Sequence, residues 1–297
     1  MTIRIIGAAM GHGAKDPSSQ EAPDFLRRNK ITDFLQSVSQ IESSWESIIY
    51  PHFQTISNNS INKIPLVSEF CQRLEKTVNK VYSNNEQALV IGGDHSCAVG
   101  TWSAVARNLR QKKGERLGLM WIDAHLDSHT FETSPSKAIH GMPLACLLGR
   151  GESSLVNCGS AGAKIKSENC VIIGARSYED GEKKLLDDLG VKIFEMPEIK
   201  QKGYSRVFEE AYQTVSKNNS QNFGISIDMD AFDPQEVPAV GTPEKNGLKV
   251  KKVVDCLNQM DKSKLCGVEI AEYSPLNDID MKGLIAIKKI LAAIYGR

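Results

Sequence analysis

The sequence lacks several features that would assign it to a special class of protein. Its 36 basic residues are balanced by 36 acidic ones, so no excess of one charge attracts nucleic acid or an anionic membrane surface. The seven cysteines are odd in number, scattered and without a Cys-x-x-Cys pair, which argues against a disulfide framework and favours a reducing cytosol. The N-terminal apolar run is too short for a signal peptide or a membrane-spanning helix. We therefore expect a cytoplasmic protein with a small-molecule partner, and no nucleic-acid or membrane partner.

Nothing in the sequence marks an internal domain boundary. No linker rich in proline, glycine or serine, no block of like charge and no internal repeat divides the 297 residues. A chain of this length can bury a substantial core as one unit. We predict a single domain over residues 1–297, with surface loops at Ser57–Asn62 and Ser153–Lys166.

Short β-branched runs alternate with longer stretches of helical periodicity along the whole chain. This alternation is typical of an α/β fold with a parallel sheet and helices on both faces. The predicted strands are Ile3–Ala8, Ser47–Tyr50, Ala88–Ile91, Leu117–Ile122, Cys170–Ile173, Val191–Phe194, Phe223–Ile227 and Leu265–Ile270. The predicted helices are Pro65–Tyr82, Val99–Lys112, Met142–Leu148, Glu182–Leu189, Ser205–Ser216, Lys249–Gln259 and Met281–Tyr295.

Acidic side chains follow two of these apolar strands at a spacing of two residues. The two sets are Asp123, His125 and Asp127 after Leu117–Ile122, and Asp228 and Asp230 after Phe223–Ile227. Because successive side chains of a strand alternate between faces, the spacing predicts that each set points one way. Buried carboxylates are costly unless a cation compensates them. The pattern therefore predicts a metal site.

A third loop, Gly92–Ser96, adds an acidic residue and a histidine after the strand Ala88–Ile91. Ligands of parallel sheets bind beyond the carboxyl ends of the strands, so we expect the three loops to converge. Their carboxylates bring about four negative charges, which two divalent cations would neutralise. Oxygen ligands with imidazoles and no thiolate favour Mn²⁺ or a similar ion. Two such metals lower the pKa of a shared water, which predicts hydrolysis at an electrophilic carbon or phosphorus.

Each motif also has a purely structural interpretation. Asp123–Asp127 can be a polar strand end, Asp228–Asp230 an Asx-turn before Asp233–Pro234, and Gly92–Gly93 a tight turn that needs a positive φ. The occurrence of all three motifs at strand ends of one sheet favours the metal site.

The three motifs resemble the signatures of the arginase/agmatinase (ureohydrolase) family. The matching segments are Gly92–Ser96, Asp123–Asp127 and Ser226–Pro234, in the same order, spacing and strand context. The resemblance extends from the first strand to the last helix. It implies a three-layer α/β/α fold with a mostly parallel eight-stranded sheet, two Mn²⁺ per chain and a homo-oligomer, either a trimer or a hexamer. The implied metal ligands are His95, Asp123, His125, Asp127, Asp228 and Asp230, with Asp127 and Asp228 among the bridging carboxylates.

Smaller motifs resemble the catalytic segments of arginases. His140–Pro143 is similar to a His-Gly-x-Pro segment, which implies that His140 carries a proton to the leaving amine. Glu272–Pro275 is similar to a Glu-x-x-Pro segment, whose carboxylate holds the planar guanidinium. By the same resemblance Asp127 orients the attacking water, and Thr242, in Gly241–Pro243, lines the site.

The part of the sequence expected to bind the far end of the substrate departs from the common arginase pattern. His129 stands where an Asn contacts the substrate carboxylate, Ser136 keeps a hydroxyl contact and Ala138 loses an amide contact. The stretch Arg176–Glu182 places Glu179 where an Asp meets the α-amine. The resemblance thus implies substrate contacts at His129, Ser136, Glu179 and Thr242.

The expected activity is hydrolysis of L-arginine to L-ornithine and urea. The altered substrate contacts leave other guanidino or formimino substrates open, as in agmatinase, guanidinobutyrase or formimidoylglutamase. From another class, a catalytically silent binding protein with the arginase fold stays possible, although all six ligand positions carry metal-competent residues. A two-metal phosphoesterase is disfavoured, because Arg176 is the single basic residue near the motifs that would clamp a phosphate.

Overall fold

Eight parallel strands form one sheet, and apolar side chains on both of its faces pack against helices. The computed structural model describes residues 2–39, 41–52, 63–216 and 222–296. The strands are β1 Thr2–Ala8, β2 Glu42–Ile49, β3 Gln87–Gly92, β4 Leu117–Ile122, β5 Cys170–Ala175, β6 Lys192–Glu195, β7 Asn222–Asp228 and β8 Leu265–Ala271. Their order in the sheet is β2-β1-β3-β8-β7-β4-β5-β6. The predicted three-layer α/β/α class is confirmed, with every strand pair parallel.

Helices occupy most of the connections between the strands. In the described residues they are α1 Ala22–Arg28, α2 Ile31–Ser39, α3 Ile64–Ser83, α4 Ala98–Lys113, α5 Pro143–Leu147, α6 Ser153–Val156, α7 Asp180–Leu189, α8 Met196–Lys202, α9 Tyr204–Ser216, α10 Val250–Gln259 and α11 Lys282–Tyr295. Over the ranges that the structure describes, none of these helices combines the length and hydropathy needed to cross a membrane.

The eight predicted strands and seven predicted helices are all present, with small shifts at their ends. Strand β2 begins at Glu42 rather than at Ser47, because its polar residues lie at the sheet edge, where a strand is only half buried. The prediction of a surface loop over Ser153–Lys166 is wrong in part. Its first turn is α6, whose start is capped by the Glu152 carboxylate, and Leu155 is buried. The predicted loop Ser57–Asn62 lies outside the described residues.

The topology brings the functional segments together. The four central strands, β3, β8, β7 and β4, are neighbours in the sheet although they are distant in sequence. Every residue of β3 and β4 is buried, which explains why these strands read as continuous apolar runs. Because all strands are parallel, the loops after these four strands lie together at the carboxyl ends of the strands. Each loop carries one of the motifs found in the sequence.

Candidate metal centre and active site

Most of the motif residues lie just beyond the strands, and Asp228 is the last residue of its strand. Strand β4 ends at Ile122, and Asp123–Asp127 forms an irregular turn. Strand β7 ends at Asp228, and Asp230 lies in the 3-10 turn that follows. The expectation that strand alternation alone aligns these side chains is therefore wrong. The turns orient them instead.

Asx-turns shape both acidic loops. The Asp123 Oδ1 atom accepts the His125 N–H at 2.7 Å, and the Asp228 Oδ1 atom accepts the Asp230 N–H at 2.7 Å. Asp127 has a φ of 47°, and its carbonyl accepts the N–H of Leu144 in α5. Each aspartate turn thus directs its second carboxylate oxygen away from the backbone and towards the cleft, so the turn and the metal-site interpretations hold together.

Two groups of metal-competent atoms form in this cleft. The His95 Nδ1 atom lies 3.0 Å from Oδ2 of both Asp127 and Asp228, and 3.3 Å from Oδ2 of Asp123. The His125 Nδ1 atom lies 3.5 Å from Asp123 Oδ1 and 3.2 Å from Asp230 Oδ2. The six predicted ligands therefore come together as two groups. Asp123 belongs to both groups, whereas Asp127 and Asp228 each belong to one.

The donors in both groups fit divalent cations. Three buried atoms, His95 Nδ1, Asp127 Oδ2 and Asp230 Oδ1, have no hydrogen-bond partner among the described residues. Burial and the nearby charge of Asp123 raise the pKa of Asp127 to about 7, and burial raises that of Asp228 well above its usual range. Such carboxylates resist ionisation unless a positive charge lies between them. Oxygen atoms with two imidazole nitrogens and no thiolate are the ligand set of Mn²⁺ and similar ions.

A buried chain of hydrogen bonds, from His95 through Ser226 to Glu269, orients the His95 ring, and we call this chain the relay. The His95 Nε2 atom lies 3.0 Å from the Ser226 hydroxyl, which donates at 2.8 Å to Oε2 of Glu269. The same oxygen accepts the Trp102 indole N–H at 3.0 Å, and Thr101 donates to the other oxygen at 2.6 Å. Since the single Ser226 proton goes to Glu269, the Ser226 oxygen accepts a proton from His95 Nε2. The lone pair of His95 therefore lies on Nδ1, directed at the three carboxylates.

Trp121 contacts both metal-ligand groups at once. Its ring stacks on the His95 imidazole with centroids 4.1 Å apart and an interplanar angle of 13°. Its indole N–H donates to Asp123 Oδ2 at 2.8 Å. This residue therefore fixes the position of a histidine and of the carboxylate shared by the two groups.

Arg176 supports the loop that carries Asp230. Its guanidinium donates to backbone carbonyls in β5, after β7 and in the segment near Thr242, namely those of Gly174, Asp230, Ala231, Phe232, Glu244 and Lys245. With every guanidinium nitrogen engaged in these bonds, Arg176 does not offer a phosphate clamp, which weakens the phosphoesterase alternative further.

Glu272 and His140 form a pair beside the metal-ligand groups. The Glu272 Oε1 atom accepts the His95 backbone N–H at 2.9 Å and lies 2.9 Å from His140 Nδ1. Glu272 has a φ of 59° and its N–H donates to Gly93, so the turn after β8 is tied to the turn after β3. Burial lowers the pKa of His140, but the charge and hydrogen bond of Glu272 outweigh it and raise that pKa to about 9. His140 thus carries a proton at neutral pH.

Of the four residues predicted to contact the substrate, two contact each other, and the other two make separate contacts. His129 and Glu179 contact each other, with 2.9 Å between Nε2 and Oε2. Ser136 is exposed and accepts the Ala138 N–H at 3.2 Å. The exposed Thr242 donates to Asp230 Oδ2 at 2.8 Å, so it supports a predicted metal ligand.

Five residues of the site have roles that were not predicted from the sequence, although three of them stand in or next to the quoted motifs. They are Asp94, Trp121, Glu182, Ser226 and Glu269. Asp94 accepts the Gly13 N–H, and the Gly13 carbonyl in turn accepts the N–H of His140, so this contact helps to position His140. The sequence could have indicated a role for Glu269, because it is a charged residue inside the apolar run of β8. Ser226 carries no such signal, because a serine in a strand is common.

Comparisons with known proteins agree with this geometry. The model of the Arginase family matches residues 1–296. The arginase of Bacillus caldovelox is 36% identical over 298 residues, covering 99% of this chain and 98% of the relative, and that of Brevibacillus brevis is 35% identical, covering 99% and 97%. The solved arginase structure from Bacillus caldovelox has a TM-score of 0.92 at 31% identity, covering 100% of this chain and 98% of that one. That of Bacillus subtilis has a TM-score of 0.90 at 32% identity, covering 100% and 99%. The chain belongs to the arginase family.

Proposed function

We propose that the protein is an arginase, which hydrolyses L-arginine to L-ornithine and urea. The relatives named above are arginases and match this chain over nearly its full length. The observation that carries the proposal is the Glu272 carboxylate, which lies against both the His95 backbone and the His140 ring. A planar cation held by this carboxylate would have the proton donor on one side and the metal-ligand groups on the other.

We propose two Mn²⁺ ions per chain, held by His95, Asp123, Asp127 and Asp228 in one group and by Asp123, His125 and Asp230 in the other. When bound, two such cations supply an activated water as the nucleophile. The ligand atoms and their burial support the site, and the choice of manganese follows from the oxygen-rich donor set.

The residues of the chain have separate tasks in this reaction. Glu272 binds the guanidinium and holds its carbon in place for attack, and Asp127 orients the attacking water. The water oxygen bonds to the guanidinium carbon, the C–N bond to the ornithine nitrogen breaks, and His140, with a pKa of about 9, donates its proton to that nitrogen. Of the two protons that the water loses, one completes the ornithine ammonium and the other restores the proton of His140. Urea and the amine of L-ornithine leave the cleft.

We further propose a single domain over residues 1–297 that acts in the cytoplasm as a homo-oligomer, a trimer or a hexamer. The continuous family match supports the single domain. All seven cysteines are free, which suits a reducing compartment. The family resemblance supports the oligomer, and analytical ultracentrifugation of the metal-loaded protein would measure it.

The test is hydrolysis of three substrates by protein loaded with Mn²⁺. Urea release is measured from L-arginine, agmatine and 4-guanidinobutyrate, together with bound metal per chain. We expect two ions per chain and turnover of L-arginine. Turnover of another guanidino compound without any of L-arginine would contradict the arginase proposal and support another ureohydrolase. Fewer than one bound ion and no turnover would support the catalytically silent alternative.

A further inference from the structure

A cluster of three titratable side chains lies beside the metal-ligand groups without belonging to them. It consists of His129, Glu179 and Glu182, whose ligand-type atoms lie within 4.8 Å of one another. His129 is the second residue after Asp127, and its N–H donates to the carbonyl of Gly141, next to the shuttle histidine. The Glu179 side chain is 58% exposed, whereas that of His129 is 8% exposed. The cluster therefore extends from the wall of the cleft to its solvent side.

Both nitrogens of the His129 ring are already engaged within the protein. Nδ1 lies 3.0 Å from the Thr133 hydroxyl, and Nε2 lies 2.9 Å from Glu179 Oε2 and 3.3 Å from Glu182 Oε2. The Thr133 oxygen also accepts the Thr130 N–H at 3.0 Å, which holds it in place. The ring is therefore fixed from both sides and directed at the two carboxylates.

The two glutamates differ in how much of each carboxylate is left for a ligand. Glu182 accepts the backbone N–H of Ser128 and of Glu179 and is buried, so its oxygens serve the start of α7. Glu179 faces solvent, and its hydrogen bond with His129 lowers its pKa. Glu179 is thus the carboxylate that a substrate cation would reach, and His129 already occupies one of its oxygens.

Pairing of this kind changes how a site discriminates between substrates. A site rejects a substrate analogue that lacks one polar group chiefly because the protein group that would have bound it is left buried and unpaired. When the substrate brings no ammonium to Glu179, that carboxylate still has the His129 ring as its partner. The Glu179 side chain is also in part exposed to water, so loss of the substrate ammonium leaves this carboxylate neither buried nor unpaired.

We propose that His129 is a specificity-determining residue which, by pairing with Glu179, makes an α-ammonium group dispensable. The site then accepts ω-guanidino carboxylic acids as well as L-arginine. This inference rests on the proposed function and names a wider substrate class for the same site.

The experiment compares two substrates that differ only in the α-amine. They are L-arginine and 5-guanidinopentanoate, and the measured quantity is the ratio of their kcat/KM values with the Mn²⁺-loaded enzyme. We expect a wild-type ratio within about tenfold. H129N frees Glu179 to bind the ammonium, so we expect the ratio to rise about tenfold, the value of one charge-assisted hydrogen bond. Because both substrates are measured on one preparation, a loss of folded or metal-loaded enzyme cancels from the ratio.

A double-mutant cycle with E179Q gives the matched control. The ratio in H129N/E179Q should return to the wild-type value, because the carboxylate that H129N frees is absent. E179Q alone should change the wild-type ratio less than threefold, and this result stands even if H129N does not fold. A wild-type ratio above about one hundred, a folded H129N with an unchanged ratio, or a tenfold fall of the ratio in E179Q would each overturn the proposal. If the wild type hydrolyses no guanidino compound, the proposed function fails, and the specificity proposal fails with it.

Discussion

We predict that removing the Ser226 hydroxyl, which lies between His95 and Glu269, weakens metal binding. In Ser226→Ala the hydroxyl between His95 Nε2 and Glu269 Oε2 is removed, while Trp102 and Thr101 still donate to Glu269. The His95 ring can then rotate or change tautomer in the metal-free protein. Metal binding requires the lone pair on Nδ1, and this forces the Nε2 proton into a buried space without an acceptor.

The size of the expected loss of metal affinity follows from the unpaired proton on His95 Nε2. A buried donor without a partner costs about 1–3 kcal/mol. Removal of a partner that orients a metal-binding histidine typically lowers metal affinity about 10- to 100-fold, which corresponds to about 1.4–2.8 kcal/mol. The two values agree, so we expect one of the two proposed Mn²⁺ sites in Ser226→Ala to bind about 10- to 100-fold more weakly, and the other to change little.

The assay is titration of metal-stripped protein with Mn²⁺, followed by calorimetry and by the electron paramagnetic resonance signal of free Mn²⁺. Thr101→Val is the matched control, since it removes a bond to Glu269 but leaves the contact between Ser226 and His95. The control should lose stability and keep its metal affinity within about threefold. Wild-type affinity at both sites in a folded Ser226→Ala variant would refute the reasoning that this relay orients His95.

Three further predictions concern the metal centre and its supports. Removing the metal ions should lower the Tm by about 8 °C or more in scanning fluorimetry, because cations at about 1,000 times their Kd stabilise the fold by about 4.1 kcal/mol. Adding Mn²⁺ should restore the Tm. An unchanged Tm would contradict a cation site in the folded chain. Glu272→Gln should lower kcat/KM for L-arginine at least about 100-fold in a urea assay with full Mn²⁺ loading, because it removes the charge that holds the guanidinium; near-normal turnover would exclude that role. Arg176→Met should destabilise the protein by about 2–4 kcal/mol in urea unfolding, because it leaves several carbonyls around Asp230 without donors; a change below about 0.5 kcal/mol would show that water replaces them.

Most of the fold was predictable because the sheet is parallel. A parallel strand covered on both faces is a continuous apolar run, and β4 was predicted with its observed bounds, Leu117–Ile122. Edge strand β2 has polar residues along half of its length, so the sequence revealed only its last residues. Helices α1, α2 and α8 have seven to nine residues, which is too short for helical periodicity to be distinguished from a loop.

The candidate ligands were predictable for a different reason. They occupy short local patterns that follow apolar strands, so spacing indicates the acidic clusters and the family resemblance implies the full ligand set. The groups that orient them are distant in sequence: Ser226 lies 131 positions from His95, and Glu269 lies 168 positions from Thr101. Only the strand order, with β8 between β3 and β7, places these partners together. Because sequence spacing holds no information on that order, the relay could not be derived from it.

The contact between His129 and Glu179 shows why residue-by-residue comparison is insufficient at the far end of the cleft. The family pattern gives one position to the substrate carboxylate and the other to the α-amine, as two independent contacts. In this chain, however, the loops after the neighbouring strands β4 and β5 bring the two side chains within 2.9 Å of each other. We therefore predict that a change at either position alters both contacts, and with them the range of substrates that the site accepts.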